Sequence, residues 1–193
     1  LCFIRYPEFV EDKNRAFLDR VAIRSINKAD LVISNSEFTT SELVSLAKVP
    51  EEKIITLNIP VDVKEFLPEL NKGHAYLESR YGINKPYILS LGTLEPRKNL
   101  TMLVEAYCLL PEPIRKNYSL VLAGKWGWKI TELRDLIESK QREGFDIITP
   151  GHIDHDDKAT FYRNASYYAI TTHYEGFGMP LLEALHCQVP TVA

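Results

Sequence analysis

Residues 167–193 read YYAITTHYEGFGMPLLEALHCQVPTVA and predict a strand, a loop and a helix in succession. Tyr167 to Thr172 is an apolar, aromatic and threonine-rich run of strand length, whereas Pro180 to Cys187 places apolar side chains at helical spacing. Gly176 and Gly178 give the loop backbone freedom, and a proline suits the first helical turn because it has no N–H to lose. The stretch therefore predicts one strand–helix unit of an α/β protein.

This strand–helix unit contains two carboxylates near its loop. Glu175 lies within the loop and Glu183 lies about one turn inside the helix, so the glycine turn would bring both to the same opening. The N–H groups at a helix N-terminus attract phosphate or polarised sugar oxygens. A ligand site is therefore predicted at this loop.

The run EGFGMPLLEA, residues 175–184, resembles the signature of retaining nucleotide-sugar glycosyltransferases of family 4, the group 1 glycosyltransferases of GT-B fold. The resemblance implies that Glu183 accepts hydrogen bonds from the ribose hydroxyls and that Glu175 contacts the transferred sugar near the reacting centre. It also implies that the backbone N–H groups of Phe177 and its two glycine neighbours hold sugar hydroxyls or the β-phosphate. A carboxylate suits both places because it accepts directional hydrogen bonds from a diol. The alternatives are a surface helix residue for Glu183 and a loop charge for Glu175.

Two positions depart from the family's usual pattern. Gln188 stands where a small glycine is common, and His173 stands where serine or proline is common. The first departure is expected to alter close packing under the loop. The second is expected to affect the choice of sugar.

The bulk properties place the chain in a broad class. Its 193 residues suffice for one large domain, or for one domain and part of another, and the abrupt ends at Leu1 and Ala193 predict a fragment. A net charge of −3 gives no electrostatic footprint for nucleic acid, and no apolar run is long enough to span a bilayer. Three cysteines without paired or metal-type spacing favour a reducing, cytoplasmic setting.

The N-terminal part predicts a separate domain remnant. Phe9 to Ala29 carries one apolar stripe and is predicted as a helix, either core-facing or, less favoured because its charges are mixed, lying on a membrane surface. The string ADLVISNSEFTTSEL resembles the last strand and helix of the family's N-terminal domain, with Ser36 as the N-cap. Residues 1–58 are therefore assigned to the acceptor-side domain, 59–72 to a linker, and 73–193 to a truncated donor-binding domain.

The region from residue 73 onward alternates strands with helices of about ten residues, which predicts a parallel sheet. We expect an α/β fold, a Rossmann-like parallel sheet with helices on both faces, that forms part of a GT-B fold. Strands are predicted at Tyr87–Leu91, Leu120–Ala123 and Asp146–Ile148, and helices at Gly73–Tyr81, Leu100–Leu110, Thr131–Arg142 and Lys158–Asn164. Ligands of such sheets bind beyond the carboxyl ends of the strands.

The segment GTLEPRKNL, residues 92–100, follows one predicted strand directly. Gly92 lets the backbone approach a ligand, Arg97 and Lys98 place two cations before a helix, and Asn99 is a good N-cap. The resemblance implies that the two cations neutralise the diphosphate of the donor. It also implies that Arg97, Lys98 and Glu175 are the catalytic residues. The alternative is a solvated basic pair on a loop.

Two further strand ends offer weaker candidates. Gly124 in LVLAGKWGW is implied by resemblance to lie near the donor phosphates, whereas the neighbouring tryptophans are predicted to pack. In TPGHIDHDD, residues 149–157, His152 and Ile153 are implied to contact the nucleotide base. A metal site is disfavoured because the spacing fits no standard zinc set, and the aspartates at 154–157 are predicted to cap the next helix.

The sequence thus predicts a transferase that moves a mannose- or glucose-type hexosyl unit from a UDP- or GDP-sugar to an acceptor hydroxyl, without a metal or other cofactor. The acceptor, a glycan or a lipid-linked molecule, is expected to bind through the absent N-terminal part, with peripheral association of the full-length protein at the inner membrane face. The alternative is a nucleotide-sugar-binding module or an epimerase-like GT-B protein without transferase activity. The isolated chain is expected to transfer little or no sugar.

Overall fold

The computed structural model describes residues 1–193. The chain forms two compact units: unit one comprises Leu1–Pro60 and Tyr174–Gly178, and unit two comprises Val61–His173 and Met179–Ala193. The division after Pro60 falls inside the segment predicted as a linker. Tyr174–Gly178 groups with unit one, a feature that the sequence-based division did not contain.

Unit one is built on two short parallel strands, β1 (Val32–Ser34) and β2 (Ile54–Thr56), with Val32 opposite Ile54. Its helices are α1 (Cys2–Arg5), α2 (Asp12–Phe17), α3 (Ile23–Lys28) and α4 (Glu37–Ser45), and a π-helical turn at Leu18–Ala22 joins α2 to α3. Ser36 caps α4, since its hydroxyl accepts the Thr39 N–H at 3.0 Å. The predicted cap is thereby confirmed.

The helix predicted from Phe9 to Ala29 differs from the observed one. Regular helix begins only at Asp12, because Val10 has an extended backbone. Few of its apolar residues are covered within unit one: Ile23 and Ile26 pack against the core, whereas Phe17 is 58% exposed. The apolar stripe is therefore only partly buried in this unit.

Unit two contains one five-stranded parallel sheet in the order β5-β4-β3-β6-β7. The strands are β3 (Tyr87–Leu91), β4 (Ser119–Ala123), β5 (Ile147–Gly151), β6 (Tyr167–Ala169) and β7 (Thr191–Val192). The helices are α5 (His74–Tyr81), α6 (Leu100–Cys108), α7 (Glu112–Arg115), α8 (Thr131–Arg142), α9 (Lys158–Arg163) and α10 (Met179–His186). None of the helices in the protein combines the length and the apolar character needed to cross a bilayer.

Alternate residues of β4 show how the sheet is covered on both faces. Leu120 and Leu122 enter a core with side chains of α6 and α8, whereas Val121 and Ala123 enter a second core with side chains of α5, α9 and α10. Side chains alternate between the faces of a strand, so a strand buried on both faces is apolar at nearly every position. The predicted α/β fold with helices on both faces is confirmed.

The boundaries of several elements follow the sequence pattern closely. β3 and α8 match their predicted ranges residue for residue, and Gly82 ends α5 in the left-handed conformation, with φ +70°. The strand predicted to end at Thr172 stops at Ala169. The missed helices α1 and α7 are only four residues long, too short to show helical periodicity.

Gln188 adopts a conformation that favours glycine. Its φ is +60°, and its N–H and that of Val189 bond to the carbonyls of Leu185 and Ala184, which closes the end of α10. The side chain is exposed, so the departure from the family pattern acts on the backbone and not on packing beneath the loop.

We expect Gln188→Gly to raise the free energy of unfolding by about 0.5–1 kcal/mol, since relief of left-handed strain exceeds the added backbone entropy of the unfolded chain. Urea denaturation would measure the change. Gln188→Ala is the matched control, because it removes the side chain but keeps the Cβ, and it should bring no gain. A glycine variant no more stable than the alanine variant would contradict this reading.

Candidate functional site

A cavity of about 330 Å³ opens at the carboxyl ends of β3, β4 and β5 in unit two. Loop residues that follow each of these strands form its walls, together with the first residue of α9. They include Gly92 and Thr93 after β3, Gly124 and Lys125 after β4, His152, Ile153 and His155 after β5, and Lys158. The structure therefore brings the predicted site residues Gly92, Gly124, His152 and Ile153 to one cavity.

Gly92 and Gly124 are required by the backbone itself. Their φ angles are +144° and +148°, and a Cβ on Gly124 would lie 2.6 Å from the carbonyl carbon of Gly92. The two strand exits approach so closely that no side chain fits between them. Gly124 thus has a packing role whether or not a ligand is bound.

Gly124→Ala is expected to lower the free energy of unfolding by about 1–3 kcal/mol, because the added methyl group overlaps fixed backbone. Gly144→Ala is the matched control: Gly144 also has a positive φ, of +89°, but an added Cβ would meet nothing within 4 Å. Denaturant titration should show that the control lowers the free energy of unfolding only by the cost of left-handed backbone strain. Equal losses in the two variants would contradict the close approach at Gly124.

The two residues of the predicted basic pair, Arg97 and Lys98, have different surroundings. Arg97 donates to Glu95 through Nε at 3.0 Å and through Nη2 at 2.6 Å, and Glu95 is only 7% exposed. Lys98 lies beside Gly92, since a Cβ built on that glycine would be 3.5 Å from its Cε and 3.7 Å from its Nζ. Part of the charge of Arg97 is therefore balanced within the protein, and the ammonium of Lys98 stands next to the cavity wall.

Asn99 does not cap α6 as predicted. It stands at the N-cap position with φ +51°, and its side chain makes no capping hydrogen bond. Its amide instead contacts the sulfur of Met102 at 3.5 Å. In this left-handed conformation the residue serves the turn and not the helix end.

A threonine segment fixes the basic turn, and sequence reasoning missed it. The hydroxyls of Thr171 and Thr172 and the backbone N–H of His173 all donate to carbonyl oxygens of residues 97–99, at 2.9 to 3.1 Å. These threonines looked like strand residues because β-branched side chains favour strands. Their hydrogen bonds hold the backbone that carries Arg97 and Lys98.

Glu183 is buried, so the alternative of a surface helix residue was wrong. It is 6% exposed, and its two oxygens accept from Lys158 Nζ and from Tyr162 Oη, each at 2.7 Å. Burial, with Tyr168 and Glu183 adding to it, raises the pKa of Tyr162 well above its ordinary value. Tyr162 thus keeps its proton and remains a donor to Glu183. Lys158, and not Glu183, reaches the wall of the cavity.

The aspartates before α9 do not cap it as predicted. No side chain caps the N-terminus of α9, and Asp154 pairs with Arg80 at 2.8 Å. Burial pushes the pKa of Asp157 up, but hydrogen bonds from Lys72, Tyr81 and Tyr76 outweigh it and lower the pKa below the usual value. Asp157 thus ties the start of α9 to α5 and to Lys72, just before α5. No group of three or more His, Cys, Asp or Glu side chains is placed to hold a metal ion.

The predicted loop residues 175–178 lie in unit one. The carbonyl of Gly176 accepts from the hydroxyls of Ser36 and Thr39, at the N-terminus of α4. Tyr174 donates to Glu42, which is buried, and burial together with Glu42 raises the pKa of this tyrosine. The loop is anchored through these contacts, with Glu175 and Phe177 half-buried.

Comparisons with known proteins point to one enzyme family. The O-antigen chain mannosyltransferase B of Escherichia coli is 35% identical over 193 residues, which cover 96% of this chain and 49% of that protein. A GDP-mannose-dependent alpha-(1-6)-phosphatidylinositol monomannoside mannosyltransferase of Mycolicibacterium smegmatis is 30% identical over 183 residues, covering 90% and 47%. The chain spans about half the length of these relatives.

Solved structures share the fold. HepE of Anabaena, in complex with UDP and glucose, matches with a TM-score of 0.76 at 21% identity, covering 100% of this chain and 51% of that one. WaaG, a glycosyltransferase involved in lipopolysaccharide biosynthesis, matches with a TM-score of 0.70 at 18% identity, covering 97% and 52%. The model of the family described as glycosyl transferases group 1 matches residues 78–193. Since that match covers more than half of the chain, this protein belongs to the group 1 glycosyl transferases.

Proposed function

We propose that the full-length protein is a retaining glycosyltransferase of family 4. It transfers a mannose- or glucose-type hexosyl unit from a UDP- or GDP-sugar to an acceptor hydroxyl in polysaccharide or glycan biosynthesis. The cavity at the ends of β3, β4 and β5 holds the donor. The observation that carries this proposal is the meeting of two glycine strand exits with two lysines, Lys125 and Lys158, in that cavity, and with Lys98 beside Gly92.

The charges around the cavity suit a diphosphate. Lys125 and Lys158 line it, Lys98 lies beside Gly92, and none of the lining residues is a carboxylate. Its volume of about 330 Å³ is in the range of small-molecule sites. An anionic ligand would therefore gain Coulomb energy from Lys98 and Lys125, whereas the charge of Lys158 is partly balanced by Glu183.

The proposed reaction transfers the anomeric carbon between two oxygens. The bond from this carbon to the β-phosphate oxygen breaks, and the electron pair leaves with the diphosphate. The acceptor oxygen forms the new bond on the same face, and its proton passes to the departing phosphate. Negative charge develops on the leaving group, where Lys98 stabilises it as a preorganised cation, with Arg97 beside it. We expect these cations to act without a divalent metal.

Relatives support a sugar-transfer role and suggest the donor. Two of them are named as mannosyltransferases, and one name specifies dependence on GDP-mannose. We propose a mannose-type donor on this basis. Glu175 is proposed to contact the transferred sugar, and the acceptor, a glycan or a lipid-linked molecule, to bind through a part of the full-length protein outside this chain.

Titration calorimetry tests the donor site. The 193-residue chain should bind UDP or GDP weakly, with heat that persists in EDTA and falls as salt is raised, since screening weakens charge contacts. UMP or GMP is the matched control and should bind less well, because each lacks the β-phosphate. If the chain bound none of these nucleotides at millimolar concentration, where even a weak binding free energy of about −4 kcal/mol gives measurable occupancy, the proposed site would be contradicted.

Product stereochemistry tests the reaction class. The full-length protein should form product whose anomeric configuration equals that of the donor, as read by NMR coupling constants. An inverted product would contradict the retaining mechanism. Hydrolysis or epimerisation of the donor without transfer would contradict the transferase itself.

A further inference from the structure

The basic turn, residues 96–99, depends on support from outside itself. It is a single 3₁₀ turn over Pro96–Lys98, and Asn99 follows in the left-handed conformation with φ +51°. Its two backbone hydrogen bonds run back to the carbonyls of Glu95 and Pro96, each at 3.0 Å. A 3₁₀ turn has poorer hydrogen-bond geometry than an α-helix, and a left-handed residue persists where the surrounding structure holds it. The position of this turn is therefore set by its contacts.

Residues 171–173 supply these contacts. The Thr171 hydroxyl lies 3.0 Å from the carbonyl oxygen of Lys98 and 3.1 Å from that of the next residue, so its one hydrogen is shared between them. The Thr172 hydroxyl and the His173 N–H both donate to the carbonyl of Arg97, at 3.0 and 2.9 Å. One short segment thus bonds to three successive carbonyls of the basic turn.

The two hydroxyls reach the same turn although they belong to neighbouring residues. In a strand, neighbouring side chains point to opposite faces, but β6 ends at Ala169 and both threonines lie beyond it. β6 lies beside β3, with Leu89 opposite Tyr168, so the segment after β6 runs next to the turn after β3. Both threonines are half-buried, and a β-branched side chain has restricted χ1 rotation, which keeps each hydroxyl aimed at its acceptor.

The basic turn sets the origin of the Lys98 side chain. A Cβ built on Gly92 would lie 3.5 Å from the Cε atom of this lysine and 3.7 Å from its Nζ, so the side chain runs beside the glycine exit. A preorganised cation stabilises developing charge without reorganising during the reaction. A displacement of about 1 Å in a reacting complex can cost on the order of 10²-fold in rate. The backbone that carries Lys98 therefore affects the rate through the lysine.

We propose that Thr171 and Thr172 are positioning residues of the transfer reaction. Their hydroxyls fix the backbone of the basic turn, so that the ammonium of Lys98 is held where charge develops on the departing diphosphate. The threonines act through Lys98 and not by contact with the substrate. This inference rests on the proposed function.

A double-mutant cycle in the full-length protein tests the proposal. Thr171→Val keeps the branched shape but removes the hydroxyl, and it should lower kcat about 10-fold with little change in the KM of the donor. Thr171→Ser, which keeps the hydroxyl, should stay within about threefold of the wild type. Added to Lys98→Met, Thr171→Val should cause less than about a twofold further loss, because its effect passes through the missing ammonium.

Thr131→Val is the matched control. Thr131 is exposed at the first residue of α8 in the same unit, and its loss should leave both kinetic parameters unchanged. Circular dichroism melts show whether each variant is folded. If Thr171→Val does not fold, the same cycle is measured with Thr172→Val, which removes one of the two donors to the Arg97 carbonyl and should give a smaller loss of the same kind.

Several results would overturn the assignment. Thr171→Val as active as the Thr131→Val control would remove the role of the hydroxyl, and so would a Thr171→Ser variant as slow as Thr171→Val. A full additional loss in the Lys98→Met background would show that the hydroxyl acts independently of Lys98. These results leave the proposed function intact if the wild type transfers sugar. A wild-type protein without transfer would overturn the proposed function, and this inference with it.

Discussion

Lys98→Met in the full-length protein is expected to lower kcat/KM for the sugar nucleotide by about 10²–10³-fold. The ammonium beside Gly92 stands where the diphosphate is proposed to gain charge, and removing one preorganised donor from such a site costs roughly this much in rate. The effect should fall mainly on kcat, because the charge on the leaving group is greatest in the transition state. Initial-rate kinetics over a range of donor concentrations measure both parameters.

The control for this variant is Lys116→Met. Lys116 is also in unit two, but its side chain is 72% exposed and pairs with Glu112 within one helical turn. It should leave kcat/KM unchanged, since an exposed pair contributes little. If Lys98→Met retained activity within about threefold of this control, Lys98 would have no part in stabilising the leaving group.

Glu175→Ala in the full-length protein is expected to reduce transfer on the order of 10²-fold or more while nucleotide affinity changes little. The carboxylate is proposed to contact the hexose and not the nucleotide, so its loss should be felt in the reacting complex. Paired measurements of transfer rate and of the dissociation constant for the nucleoside diphosphate separate these effects.

Glu37→Ala supplies the comparison for Glu175. Glu37 is an exposed carboxylate at the start of α4 in the same unit and should be silent in both measurements. Unchanged function in the Glu175 variant would favour the alternative of a nucleotide-sugar-binding module over a transferase.

The fold could be predicted where local pattern and tertiary packing agree. β3 and β4 are apolar apart from one serine each because helices cover both faces of the sheet, and α8 has a polar outer face with Leu133 and Ile137 buried. Elements of this kind can be predicted from the pattern of apolar residues along the sequence. The order β5-β4-β3-β6-β7 and the grouping of Tyr174–Gly178 with unit one depend on long-range contacts, which no local pattern encodes.

The sequence predicted the glycines of the candidate site but not all of the side-chain contacts around it. Glycines at strand ends mark close backbone approach, so Gly92 and Gly124 could be found from the sequence. Lys158 could not, because its partner Glu183 lies 25 positions away and neither residue indicates the other. The contact between Arg97 and Glu95 could have been predicted, because the carboxylate lies only two residues before the arginine.

The most direct measurement is a crystal structure of the chain soaked with GDP or UDP at a concentration that calorimetry shows to be saturating. The diphosphate should lie in the cavity beside the Gly92 and Gly124 exits, with a phosphate oxygen within hydrogen-bonding distance of Lys98 Nζ. Nucleotide bound at another surface, with this cavity empty, would contradict the donor site at the ends of β3, β4 and β5.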